Sequence, residues 1–191
     1  MGLGNPGDRY AATRHNVGWR VIARLVERWH AAPETAPPRW RTWRSVRGGG
    51  DVALMTPLTF MNVSGEAVTE WVGGQPLAPE DLLVVTDDVY LPVGAVRLRA
   101  RGSSGGHRGL ESVEQALGTR EFARLRIGVG AAEDAAALRT HVLDEFSETE
   151  QPAVDEAVTQ AADAVECWLD RGILAAMNQF NRKVRREESE T

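Results

Sequence analysis

Met1-Gly2-Leu3-Gly4-Asn5-Pro6-Gly7 opens the chain, and Val17-Gly18-Trp19-Arg20-Val21-Ile22-Ala23-Arg24-Leu25-Val26-Glu27-Arg28-Trp29 follows after a short loop. Val17, Val21, Leu25 and Trp29 recur every fourth residue, the spacing of one buried helix face. Ahead of them, Met1 to Leu3 form an apolar run that ends in a glycine turn. Strand, turn and helix in that order make the unit of an α/β sheet. The glycines match the dinucleotide fingerprint G-x-G-x-x-G, but the context fails. The helical period starts near Val17 rather than at the glycines, Pro6 removes a backbone donor, and Glu27 lies inside the helix instead of closing a second strand. A sheet strand usually runs about five residues, so either the start is misassigned as a strand or Met1 to Leu3 form a stub.

Working outward, further strands are expected at Thr42 to Val46, Val52 to Met55, Leu82 to Val85, Val96 to Leu98 and Leu125 to Val129. Helical patterns fall between them at Gly65 to Val72 and Leu110 to Leu117. A longer helix opens at Ser147 with Glu150 as a capping box and stops at Gly172. Arg47 to Asp51 read as a hairpin turn and Pro33 to Pro38 as a surface loop. The pattern predicts a single α/β domain over residues 1–184, a twisted mixed and mostly parallel sheet with helices on both faces, and a charged, frayed tail over residues 185–191.

With 191 residues, 42% of them hydrophobic, the chain can build one unaided core. No apolar run is long enough for a bilayer and the start lacks a signal-peptide layout, so a cytoplasmic protein without a membrane role is expected. Cys167, the lone cysteine, has no partner for a disulfide or a thiolate zinc site. A net charge of −5 argues against nucleic acid as a partner. That average hides an asymmetry, because Arg97, Arg99, Arg101, Arg108, Arg120, Arg124 and Arg126 face only three glutamates between positions 97 and 126. Such a run is either a solvated rim or one cationic face on an acidic protein.

Gly102-Ser103-Ser104-Gly105-Gly106-His107-Arg108-Gly109 lacks the Gly-Lys-Ser/Thr ending of a phosphate-binding loop, and reads as a flexible connection or a loop whose bare backbone admits a substrate. His15 stands just before the first helix, after Asn5, Tyr10 and Thr13 and beside Asn16. Asp87 follows the buried-looking run Leu82 to Val85 and so ends a strand on the same edge, where a carboxylate can orient an imidazole as general base. Asn62, in Thr59-Phe60-Met61-Asn62-Val63-Ser64-Gly65, is either a helix N-cap or an amide donor to an oxyanion. No Ser or Cys sits in a nucleophile-elbow setting.

These segments, with Thr13-Arg14-His15-Asn16, Pro57 to Gly65, Gly102 to His107, Arg124 to Gly130 and the ending Ala175-Met177-Asn178-Phe180-Asn181, stand in the order found in the bacterial peptidyl-tRNA hydrolase family, which the chain resembles over nearly its whole length. The resemblance implies an esterase that frees tRNA and peptide from peptidyl-tRNA by a His-activated water, needing no cofactor, no metal and no protein partner, as a monomer. His15 matches the family's base and Asp87 the carboxylate that supports it. Asn5 matches the residue that senses a blocked amino group. Asn62, Phe60 and Tyr10 fall where the 3′ end and peptide are contacted, with Asn16 and Met61 beside them, and Arg99 and Arg126 match a clamp on the tRNA 5′-phosphate. Three positions depart from the pattern: Arg99 replaces a Lys, Arg108 stands where an Asn places the water, and Tyr90 where an acidic residue is usual. Arg108 cannot accept a hydrogen bond, so it is expected to point to solvent and meet tRNA phosphate. Two rival readings remain: an RNA-binding relative without turnover, and a metal hydrolase using His15, His107 and Asp87.

Overall fold

The structure, a computed structural model, describes residues 1–74, 77–131 and 137–181. In chain order its elements are α1 (Val17–Trp29), β1 (Ala32–Glu34), β2 (Trp40–Arg47), β3 (Gly50–Pro57), α2 (Ser64–Gly73), β4 (Leu83–Asp88), β5 (Val96–Arg99), α3 (Arg108–Leu117), β6 (Ala123–Gly128), α4 (Ala137–Leu143) and α5 (Gln151–Phe180).

The central strand, β4, is buried along its whole length. Successive strand residues point to opposite faces, and here they feed two cores. Leu83 and Val85 pack with α1 and α5, whereas Leu82 and Val84 pack with α2 and α3. Helices therefore cover both faces, as expected. β6 pairs with β4 in parallel and with β5 antiparallel, giving the order β4-β6-β5. On the other flank of β4 lies the stub, the second of the two alternatives: Leu3 donates to Val85 O (2.9 Å) and Val85 to Met1 O (2.8 Å). Gly2 also donates to Met55 O (3.0 Å), tying the end of the antiparallel β1-β2-β3 sheet to the mixed one.

The contact between stub and helix positions everything that follows. A Cβ on Gly18 would lie 2.6 Å from both Leu3 O and Val85 O, so only glycine lets the first turn of α1 rest on the strands. That close approach sets the residues just before α1 above the C-terminal end of β4.

Several boundaries differ from expectation. Within the expected loop at Pro33 to Pro38, Pro33 and Glu34 belong to the edge strand β1, paired with β2. α4 was not anticipated. Ser147 does open the approach to α5, since Glu150 Oε2 accepts from its N–H (2.8 Å) and its hydroxyl (2.9 Å), but the regular helix starts at Gln151. Gly172 (φ 80°) breaks α5 without ending it, and the chain resumes helix to Phe180. The tail over residues 185–191 lies outside the described residues.

Candidate active site

Three chain segments converge above the C-terminal end of β4: the loop and 3-10 turn ahead of α1, the end of β4 itself, and the N-terminus of α3. His15 sits in the turn Arg14–Asn16. Its Nδ1 lies 2.9 Å from both carboxylate oxygens of Asp87, the pairing expected from sequence. Asp87 is 1% exposed. His107 reaches the same carboxylate, with Nε2 2.8 Å from Oδ1 and 2.7 Å from Thr86 Oγ1. Burial pushes the Asp87 carboxyl up, but the charges and hydrogen bonds of His15 and His107 hold it well below the usual carboxylate range. Burial pulls the His15 pKa down, and the charge and hydrogen bond of Asp87 more than offset this, leaving it raised. His15 Nε2 has no hydrogen-bond partner among the described residues, and the ring lines a cleft of about 800 Å³.

The turn that carries His15 is fastened from behind. Arg14 forms two hydrogen bonds to Glu150 (2.9 and 2.8 Å) and one to Val129 O (3.0 Å). The Arg14 hydrogen bond is the main reason that the Glu150 pKa falls to about 2. Asn16, expected among the substrate contacts, is 1% exposed and off the cleft wall. Its amide instead spans the Asn5 backbone, accepting from Asn5 N–H (2.8 Å) and donating to Asn5 O (3.0 Å). Asn5 Oδ1 then accepts from Met61 N–H (2.8 Å). This leaves Asn5 Nδ2 without a partner among the described residues, on the cleft wall.

Met61 is buried and forms part of that wall, while its neighbours Phe60 and Asn62 are exposed on it. Asn62 is not a helix cap: the α2 N-cap is Val63, with no side-chain cap bond. Tyr10 meets Phe60 edge to face at 6.3 Å between ring centres. Tyr90, 74% exposed, stands on the rim. Sequence reading missed α4, whose Leu138, Arg139, Val142 and Leu143 close one side of the cleft. Leu138 and Val142, four residues apart, were the available signal. It also left His107 only in the metal reading.

The arginine run separates into two groups. Val96 and Leu98 of β5 face the core, so Arg97 and Arg99 face out, in register opposite Arg126 and Arg124. Arg124 is 1% exposed, pairs with Glu114 (3.1 Å) and donates to the carbonyls of Gly102 and Ser103. Arg126 pairs with Asp88 (3.0 Å) and donates to the carbonyls of Ser103 (2.9 Å) and Ser104 (3.1 Å). The glycine-rich loop is therefore pinned by two arginines rather than free, its turn made by Gly105 and Gly106 at positive φ. Arg101 and Arg120 pair with Glu121 and Glu114. Arg97 and Arg99 have no ion-pair partner among the described residues. Arg108 points outward as expected, 76% exposed and paired with Glu111 at 3.2 Å.

His15, Asp87 and His107 are the group among the described residues whose donor atoms lie close enough to share a cation. Their observed distances are those of hydrogen bonds between the rings and the carboxylate. Chemically, the cleft joins a paired imidazole at its floor to amide, aromatic and guanidinium groups on its walls. That is the equipment for activating a water beside a large polar substrate.

Comparison with known proteins places this geometry among relatives. The sequence model of the family described as peptidyl-tRNA hydrolase matches residues 1–189. The chain is 45% identical over 181 residues to the peptidyl-tRNA hydrolase of Geobacillus kaustophilus, covering 95% of this chain and 97% of that one. It is 42% identical over 183 residues to that of Bacillus subtilis, covering 96% and 97%. Among solved structures, peptidyl-tRNA hydrolase from Acinetobacter baumannii superposes with a TM-score of 0.89 at 34% identity, covering 94% of this chain and 92% of that one.

Proposed function

The chain belongs to the peptidyl-tRNA hydrolase family, and from that premise we propose a mechanism in which His15 activates the water that cuts the ester between peptide and tRNA. As a member of the family it is a hydrolase of the peptidyl-tRNA ester bond. The observation that carries the mechanism is the His15 ring itself, with Nδ1 on Asp87 and Nε2 at the cleft without a hydrogen-bond partner among the described residues. Nε2 takes the proton as the water attacks, and the buried Asp87 carboxylate stabilises the imidazolium that forms. Asn5 Nδ2 and the Asn62 amide donate to the ester and its developing oxyanion. Tyr10, Phe60 and Met61 hold the 3′ end and peptide, while Arg99, Arg108 and Arg126 meet tRNA phosphates. Asn16 supports Asn5 from behind.

The reading extends to one hydrolase domain over residues 1–184, working as a monomer in the cytoplasm without cofactor or metal. Among the described residues no helix is long and apolar enough to cross a membrane. The test is incubation with an N-blocked aminoacyl-tRNA in excess EDTA. Release of free tRNA is expected. Binding without release would favour the RNA-binding relative, and activity lost to EDTA and restored by added metal would favour the metal hydrolase.

A further inference from the structure

We infer that His107 is a positioning residue for the hydrolytic site: the N-terminus of α3 holds its Nδ1, so that Nε2–H is presented to Asp87 and fixes that carboxylate against His15. The inference rests on the hydrolase reading and adds a second imidazole with a different task.

The argument starts from two backbone donors. Gly109 N–H and Leu110 N–H, at the first turn of α3, both point at His107 Nδ1 (3.1 and 3.2 Å). A backbone N–H can only donate, so Nδ1 must accept and cannot carry the proton. The proton of the neutral ring is therefore on Nε2. His107 is thus fixed by the fold with Nδ1 as acceptor and Nε2–H as donor.

Nε2–H lies 2.8 Å from Asp87 Oδ1. Thr86 Oγ1 is 3.3 Å from that oxygen and 2.7 Å from Nε2, so its hydroxyl donates to the carboxylate while its lone pair faces the ring. Asp87 Oδ1 accordingly receives donors from His107, Thr86 and His15, and Oδ2 also faces His15 Nδ1. A carboxylate held on so many sides has little freedom to rotate. It keeps His15 with Nδ1–H inward and the Nε2 lone pair toward the cleft, the tautomer a general base requires. The packing is close: a Cβ on Gly109 would come within 3.0 Å of His107 Cε1 and collide with Met61 Sδ and Leu3. His107 also ends the loop whose carbonyls Arg124 and Arg126 hold, so loop, helix and base form one connected unit.

Two substitutions separate the cap from the donor. His107→Asn keeps a good N-cap acceptor but its amide is too short to reach Asp87. His107→Gln carries an N–H out to Asp87 but leaves the helix end uncapped. Imidazole 15N NMR should find His107 as the Nε2–H tautomer and His15 as the Nδ1–H tautomer in the wild type. In His107→Asn the His15 tautomer preference should weaken, and kcat should fall about tenfold or more, the equivalent of one hydrogen bond to a charged group, with KM and Tm close to wild type. His107→Gln should recover most of kcat at a lower Tm. An Nδ1–H tautomer at His107, or wild-type kcat with an unchanged His15 tautomer in His107→Asn, would overturn the inference. So would a loss of kcat that follows Tm across both variants, which would reduce His107 to a helix cap. A wild type that releases no tRNA would sink the hydrolase reading instead, and the tautomer measurements would still decide the role of His107.

Discussion

The floor and the rim of the cleft handle charge in opposite ways. At the floor, His15 and His107 meet Asp87 within 2.9 Å and all three are largely buried. On the rim, Asn62, Phe60, Tyr90 and Arg108 are exposed, with Arg99 exposed on β5 beyond them. A buried charge needs a partner inside the protein, because removing it from water costs far more than an exposed charge ever gains. An exposed group can wait for its partner to arrive with the substrate. The floor is therefore built for a reaction and the rim for recognition, and substitutions in the two regions should fail differently.

The largest effect belongs to the floor. His15→Ala should lower kcat by roughly 10²- to 10⁴-fold, the range that general-base assistance supplies, with tRNA affinity in a filter-binding or fluorescence assay nearly unchanged. Asp87→Asn keeps the size of the side chain but removes its charge, and kcat should fall about 10²-fold, the low end of that range. Its pH profile carries the sign. His15 works as the neutral ring, so the rate climbs as pH rises through its raised pKa. Without the Asp87 charge that pKa drops, and the acid limb of the profile should move to lower pH while the plateau falls. An acid limb that stays in place would make Asp87 a structural residue only.

The rim should show smaller losses, in KM. Arg99→Ala should reduce the salt slope of tRNA binding by about 0.7 to 0.9, as for one phosphate contact. If the variant loses equally on a substrate without the 5′-phosphate, the clamp assignment fails. Arg126→Ala should cost more than Arg99→Ala, because Arg126 lies beneath the exposed rim, 13% exposed, and holds Asp88 and the glycine loop. A thermal melt should show that extra loss as a lower Tm. Arg108→Ala should give the smallest change, a salt-sensitive rise in KM with kcat and Tm little altered, since its exposed ion pair with Glu111 contributes little to the fold. A large fall in kcat there would move Arg108 from the rim to the chemistry.

The same division explains what was legible in the sequence. Strand and helix cores announce themselves by period, so α1, β4 and α3 were readable from Val17, Val21, Leu25 and Trp29, from Leu82 to Val85, and from Leu110 to Leu117. His15 and Asp87 were readable because each ends or precedes such an element on the same sheet edge. Three features are set by partners outside their own segment. The edge strand Ala32–Glu34 contains Pro33 and exists only through pairing with β2, a tertiary contact that local propensity does not express. Asn16 looked like a cleft residue because it neighbours His15, yet a turn of one residue sends its amide inward to Asn5. Arg124 and Arg126 read as surface charge, but the strand alternation places them under the glycine loop, where carbonyls and Glu114 or Asp88 receive them. In each case the partner lies in another segment of the chain, and composition cannot name it.

The division between floor and rim is tested most directly by single-turnover hydrolysis of N-blocked aminoacyl-tRNA, with enzyme raised until all substrate is bound. The double variant Arg99→Ala/Arg108→Ala should need more enzyme but reach nearly the wild-type rate at saturation. His15→Ala should bind at wild-type concentrations and stay slow by at least about 10²-fold however much enzyme is added. A rim variant that remains slow when fully bound, or a His15→Ala enzyme whose rate recovers at saturation, would contradict the account.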